Sequence, residues 1–69
     1  MSEINIGKAI SKAMEEREMS TRQLAEKMSI SVSRAGILRN SMAVNTTTVT
    51  RLCRAFDMSW AEFTELGVE

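Results

Sequence analysis

The chain has 69 residues, is 43% hydrophobic and balances nine Lys and Arg against nine Asp and Glu, with one Cys and neither His nor Tyr. That length supports a single domain spanning residues 1–69, near the lower limit for a core without covalent or metal staples. Cys53 alone cannot form an internal disulfide. Without His there is no plausible zinc set, no acid pair lies in an apolar setting and no glycine-rich phosphate loop is present, so neither an enzyme, a cofactor nor a metal is expected.

Proline is absent and Ala, Met, Leu, Glu, Lys and Arg are plentiful, which favours an all-α fold over a sheet. Ile6, Ala9, Ile10, Ala13 and Met14 repeat at i, i+3, i+4, i+7 and i+8 and predict an amphipathic helix from Asn5 to Glu18 with no evident chemistry. Ser20 then caps a second helix. Gln23, three residues on, completes a capping box, and Leu24, Ala25 and Met28 form the apolar face up to about Met28. Ser29 ends that helix, and Ile30, an isolated aliphatic between serines, is read as a plug anchoring the turn.

Ser31 caps a third helix over Val32 to Arg39, in which only Ala35 and Leu38 repeat as a buried stripe. Val32, Ser33, Gly36 and Ile37 are left facing outward. A helix so thinly buried suits contact with another surface. The segment Ser41-Met42-Ala43-Val44 breaks the periodicity, and Asn45 caps a fourth helix reaching about Asp57, with Val49, Leu52, Cys53 and Phe56 inward. Cys53 is read as core filler, since nothing nearby activates it. Ser59 with Glu62 makes a second capping box for a short last helix bearing Trp60, Phe63 and Leu66, with Gly67 as its C′ residue. The expected architecture is a compact five-helix bundle.

The zero net charge hides an uneven distribution. Between Thr21 and Phe56 stand Arg22, Lys27, Arg34, Arg39, Arg51 and Arg54 against Glu26 alone, whereas Glu15, Glu16, Glu18, Asp57, Glu62, Glu65 and Glu69 gather at the ends. A basic middle of this kind is compatible with one positive face, and equally with an ordinary mixed surface. No run is long and apolar enough to span a membrane, the opening MSEINIGK lacks the plan of a signal peptide, and a reducing cytoplasm is the expected setting.

With Thr21, Leu24-Ala25, Ser29, Ile30, Ser31, Ala35 and Leu38 in place, the spacing resembles the helix-turn-helix domains of phage repressors, Cro proteins and related bacterial regulators, the lambda-repressor-like family. The runs AEKMSIS and AGIL and the closing FDMSWAEF carry the likeness, which covers about residues 17 to 66. Four positions depart from the family pattern: Thr21 where Gln is frequent, Ser29 where Gly is usual, Arg39 where Glu is common, and Ser41 where Gly follows. Ser29 must therefore accept a left-handed turn.

The resemblance implies a sequence-specific regulator binding double-stranded DNA, with the second and third helices as the helix-turn-helix and the third in the major groove. Val32, Ser33, Arg34, Gly36 and Ile37 then face the bases. Ser33 is a permissive hydrogen-bonding group, Val32 and Ile37 meet thymine methyls, Arg34 reads guanine or holds a phosphate, and Gly36 allows either close approach to DNA or close packing on a neighbouring helix. Thr21 and Arg22, beside the amides that open the second helix, are phosphate candidates. So are Arg39, Asn40 and Asn45, although both asparagines also suit helix capping; Arg51 and Arg54 are read as a solvated face.

One short helix reads few base pairs, so a homodimer on a palindromic operator is expected, with Trp60, Leu66 and Val68 as the dimer surface. Absence of a sensing segment points to an occupancy-controlled repressor of the Cro type, from phage or prophage, with no small-molecule ligand and no membrane partner. The competing reading is a protein-binding module, an antitoxin or adaptor that keeps the bundle but grips another protein through Val32, Ile37 or Trp60.

Overall fold

The computed structural model describes residues 4–41 and 44–68. Met42 and Ala43, where the periodicity breaks, and Glu69, one of the terminal acids, lie outside the described residues. Five helices follow in order: α1 (Ile6–Glu16), α2 (Thr21–Met28), α3 (Val32–Arg39), α4 (Thr46–Phe56) and α5 (Trp60–Leu66). Among the described residues the only β pairing is an isolated bridge between Ile4 and Val68, next to a 2.8 Å hydrogen bond from the Asn5 amide to the Gly67 carbonyl.

Each expected cap forms. Ser20 accepts from the Gln23 amide at 3.1 Å while the Gln23 side chain accepts from the Ser20 amide at 2.8 Å, and Ser59 and Glu62 repeat the exchange at 3.1 and 3.4 Å. Ser31 accepts from the Arg34 amide at 3.1 Å and Asn45 from the Thr48 amide at 2.8 Å. Every such bond satisfies one of the amides a helix start leaves orphaned, an effect of about 1 kcal/mol. Ser29 does adopt the left-handed conformation that the turn demands, with φ 57°.

Two ends differ from expectation. Helix α1 stops at Glu16, two residues early, because Arg17 caps it and Glu18 turns left-handed at φ 50°. Gly67 caps α5 with φ −98°, outside the left-handed region a C′ glycine would occupy.

The core is built from the predicted stripes. Ile10, Leu24, Leu52, Phe56 and Phe63 are its largest fully buried side chains, and the Phe56 and Phe63 rings stack with centroids 6.1 Å apart. Ile30 packs against this core as the plug the turn requires, joined by Leu38, Val44 and Leu66. Cys53 is buried there too, and burial raises its thiol pKa above the ordinary value against a smaller opposing backbone hydrogen bond. Both observations agree with a filler role.

Two arginines brace helix ends across long sequence gaps. Arg17 at the end of α1 donates from Nε to the Phe56 carbonyl at 2.8 Å and from Nη2 to the Asp57 carbonyl at 3.3 Å, closing α4 where Asp57 turns left-handed. Arg51, expected on a solvated face, instead donates from Nη2 to the Met28 carbonyl at the end of α2. The ends of α2 and α4, capped by left-handed Ser29 and Asp57, leave carbonyls without an intrahelical partner, and in each case a guanidinium from elsewhere in the fold satisfies one.

Contacts between α1 and α3 fix the height of the third helix. The Gly7 amide, near the start of α1, donates to the Ser41 carbonyl at 2.7 Å. A Cβ on Gly7 would lie 2.5 Å from the Arg39 carbonyl oxygen, so only glycine lets the two helices come this close.

Candidate nucleic-acid interface

Helices α2 and α3 pack against each other through the Ser29-Ile30-Ser31 turn, and α1 and α4 support them from behind. In α3 only Ala35 is fully buried. Leu38 is half-buried against the core, while Val32 is 51% and Ile37 65% exposed. Ile37 is therefore the most exposed large apolar side chain among the described residues. Exposing it in water gains nothing for folding, since burial of such a group is worth roughly 1.5–3 kcal/mol. Ser33 and Arg34 are exposed beside it, and no other side chain within the described residues engages the Arg34 guanidinium.

Gly36 lies one turn after Val32 on the same face. A Cβ built there would have no atom of another element within 4 Å, so close packing on a neighbouring helix does not explain it. Glycine inside a helix costs about 1 kcal/mol relative to alanine. Gly36→Ala should therefore raise the unfolding free energy by about 1 kcal/mol in urea or thermal melts; a loss of stability would show that the backbone or a neighbour needs the glycine.

The structure joins two of the four positions that depart from the family pattern. Arg39, closing α3, donates from Nη1 to the Thr21 hydroxyl at the start of α2, at 2.7 Å. This bond ties the two helices together at the ends away from the turn and holds a cation beside the first amides of α2. Arg22, the next residue, makes a loose 4.0 Å contact with Glu26 one turn along, both side chains being exposed. Such a pair contributes little and leaves the cation available.

The asparagines are divided in their duties. Asn40 donates from Nδ2 to the Gly36 carbonyl at 3.0 Å, and Asn45 uses its carbonyl oxygen to cap α4, leaving the Asn45 amide group outward. Both are exposed. Ser11 of α1, a residue without an assigned role in the sequence reading, lines a shallow groove of about 250 Å³ together with Gly36, Arg39 and Asn40. No sequence signal pointed to it, because the groove exists only where α1 crosses α3.

The proposed dimer residues are spread along α5 and just after it. Trp60 opens that helix at 45% exposed and Val68 follows it at 43%, beside the equally exposed Ile4. Leu66 between them packs on the core. No three or more metal-ligating side chains cluster among the described residues, and no described helix is long and apolar enough to cross a membrane.

A family model for the Cro/C1-type HTH DNA-binding domain matches residues 9–67. The chain belongs to that family. The match runs from within α1 through α5, so the Cro/C1-type domain takes in the turn, α3 and the helices that support them. No curated protein and no solved structure gives a significant match to the chain. The Cro/C1-type assignment makes the chain a DNA-binding regulator, with α2 and α3 as its helix-turn-helix.

Proposed function

We propose that this Cro/C1-type domain is a sequence-specific repressor of the Cro kind, which binds a palindromic double-stranded operator as a dimer and acts by occupying it. The observation that carries the proposal is the outward face of α3: Val32, Ser33, Arg34 and Ile37 are exposed and Gly36 is bare of neighbours. Arg34 and Arg39 are the only charged residues on that helix. A convex, cationic helix with small and aliphatic groups at its crest fits the major groove, where it meets base edges and thymine methyls.

Thr21 and Arg22 at the start of α2, Arg39 and Asn40 at the end of α3 and Asn45 at the start of α4 are assigned as phosphate contacts that set register without reading sequence. Trp60, Leu66 and Val68, with Ile4 beside Val68, are the proposed dimer surface. The protein-binding alternative draws support from the same exposed Ile37. It leaves unexplained why the charges between Thr21 and Phe56 are six cations to one acid.

The test is binding to random-sequence duplex DNA across a salt series. Affinity should fall steeply with rising salt, since each neutralised phosphate releases counterion, and Arg34→Ala should reduce the slope of log affinity against log salt by about one per bound subunit. Absence of binding at low salt would reject the proposal in favour of a protein partner.

A further inference from the structure

Helix α1 contributes a polar side chain to a groove lined by the second half of α3. Ser11 and the α3 residues Gly36, Arg39 and the capping Asn40 line one groove of about 250 Å³. We infer that this groove seats a phosphodiester group of the DNA backbone and that Ser11 is a DNA contact. The inference rests on the DNA-binding reading above and adds α1 to the interface.

Three features of the groove suit a phosphate. Its floor is open, because Gly36 carries no side chain and nothing lies within 4 Å of where one would begin; folding alone does not require that glycine, so its cost of about 1 kcal/mol is offset elsewhere. Its walls are donors. The Arg39 guanidinium is held in place by a single bond from Nη1 to Thr21, which leaves its other N–H groups for an anion. Asn40 spends one amide hydrogen on the Gly36 carbonyl and keeps the second, and the Ser11 hydroxyl supplies a further donor. Finally, none of the four lining residues is acidic; Glu15 and Glu18 line the adjoining groove, which shares Ser11 and Arg39, so an anion at the Gly36 end meets the Arg39 charge first and the carboxylates only beyond it.

The geometry also accounts for the Arg39 tether. A free arginine at the end of a short exposed helix samples many rotamers, and ordering it on binding is unfavourable. The Thr21 bond orders it beforehand, between the start of α2 and the groove. Arg39 can then bridge a phosphate in the groove to the Thr21 end of α2.

Because a backbone contact carries no sequence information, changes at Ser11 should act alike on every duplex. Ser11→Glu places a carboxylate against the phosphate and should lower affinity by about tenfold on both a random-sequence duplex and a duplex recovered by selection. Arg54→Gln on α4, an exposed position outside the groove and outside the proposed dimer surface, changes the net charge by the same amount and should change affinity by no more than about twofold, with melting temperatures checked for both variants. Ser11→Ala, which keeps the charge, should weaken binding by a few-fold.

Equal losses for Ser11→Glu and Arg54→Gln would overturn the seat while leaving DNA binding standing. A loss for Ser11→Glu confined to the selected duplex would also overturn it, by making Ser11 a base-reading residue. Failure of the unaltered protein to bind any duplex would instead reject the broader DNA-binding proposal.

Discussion

Ile37→Glu should cut affinity for a selected operator about a hundredfold or more while leaving the fold standing. At 65% exposed, Ile37 contributes little to the core, so the expected change in stability stays below about 1 kcal/mol. On the proposed reading the substitution acts twice: it removes an apolar contact to a base edge and brings a carboxylate among the phosphates that flank the groove. In a dimer both half-sites suffer, which multiplies the two losses. Binding isotherms on the selected duplex and on a random one separate the causes, because a lost methyl contact affects only the selected site, whereas charge repulsion affects both.

The same contact can be tested from the DNA side. Replacing a thymine that Ile37 or Val32 touches by uracil deletes one methyl group, worth about 0.8 kcal/mol or about fourfold in affinity. That effect should vanish in Ile37→Ala at the Ile37 position. Persistence of the thymine preference in the variant would assign the methyl to another side chain.

Phe63→Ala should have the largest effect on stability. The ring is fully buried and stacked on Phe56, and it links α5 to the helices that support the helix-turn-helix. Truncation of a buried Phe costs roughly 3–5 kcal/mol, against a total of roughly 3–10 kcal/mol for a domain of this length. A substantial unfolded fraction at room temperature is expected, read as loss of helical circular dichroism and of a cooperative melt. A variant with an unchanged melting temperature would mean that α5 contributes little to the core.

Much of this molecule was legible in the chain because its signals are local. Ser20 with Gln23, Ser31, Asn45, and Ser59 with Glu62 each announce a helix within three residues, and the apolar spacing of α1 and α4 names their buried faces directly. Ile30 between two serines was also sufficient to define the plug of the turn. The exposed α3 residues Val32, Ser33 and Ile37 emerged by subtraction, as what the weak stripe of Ala35 and Leu38 leaves uncovered.

What the chain did not disclose depends on juxtaposition. Arg51 reaches Met28 and Arg17 reaches Phe56 and Asp57 across gaps of 23, 39 and 40 residues, and nothing in a local window links a cation to a distant helix end. Gly7 reads as an unremarkable helical residue until α3 lies against it. Thr21 and Arg39 each looked like an isolated departure from the family pattern, yet the fold pairs them. Ser11 has the same history: its neighbours in the groove are all on or just after another helix.

The claim on which the rest depends is that the crest of α3 reads duplex DNA in a two-fold arrangement, and selection of binding sites from random DNA tests it most directly. Enrichment of a palindrome with half-sites about one helical turn apart, each containing thymines whose replacement by uracil weakens binding, is the expected result. Recovery of no common sequence from a protein shown to be folded would contradict it.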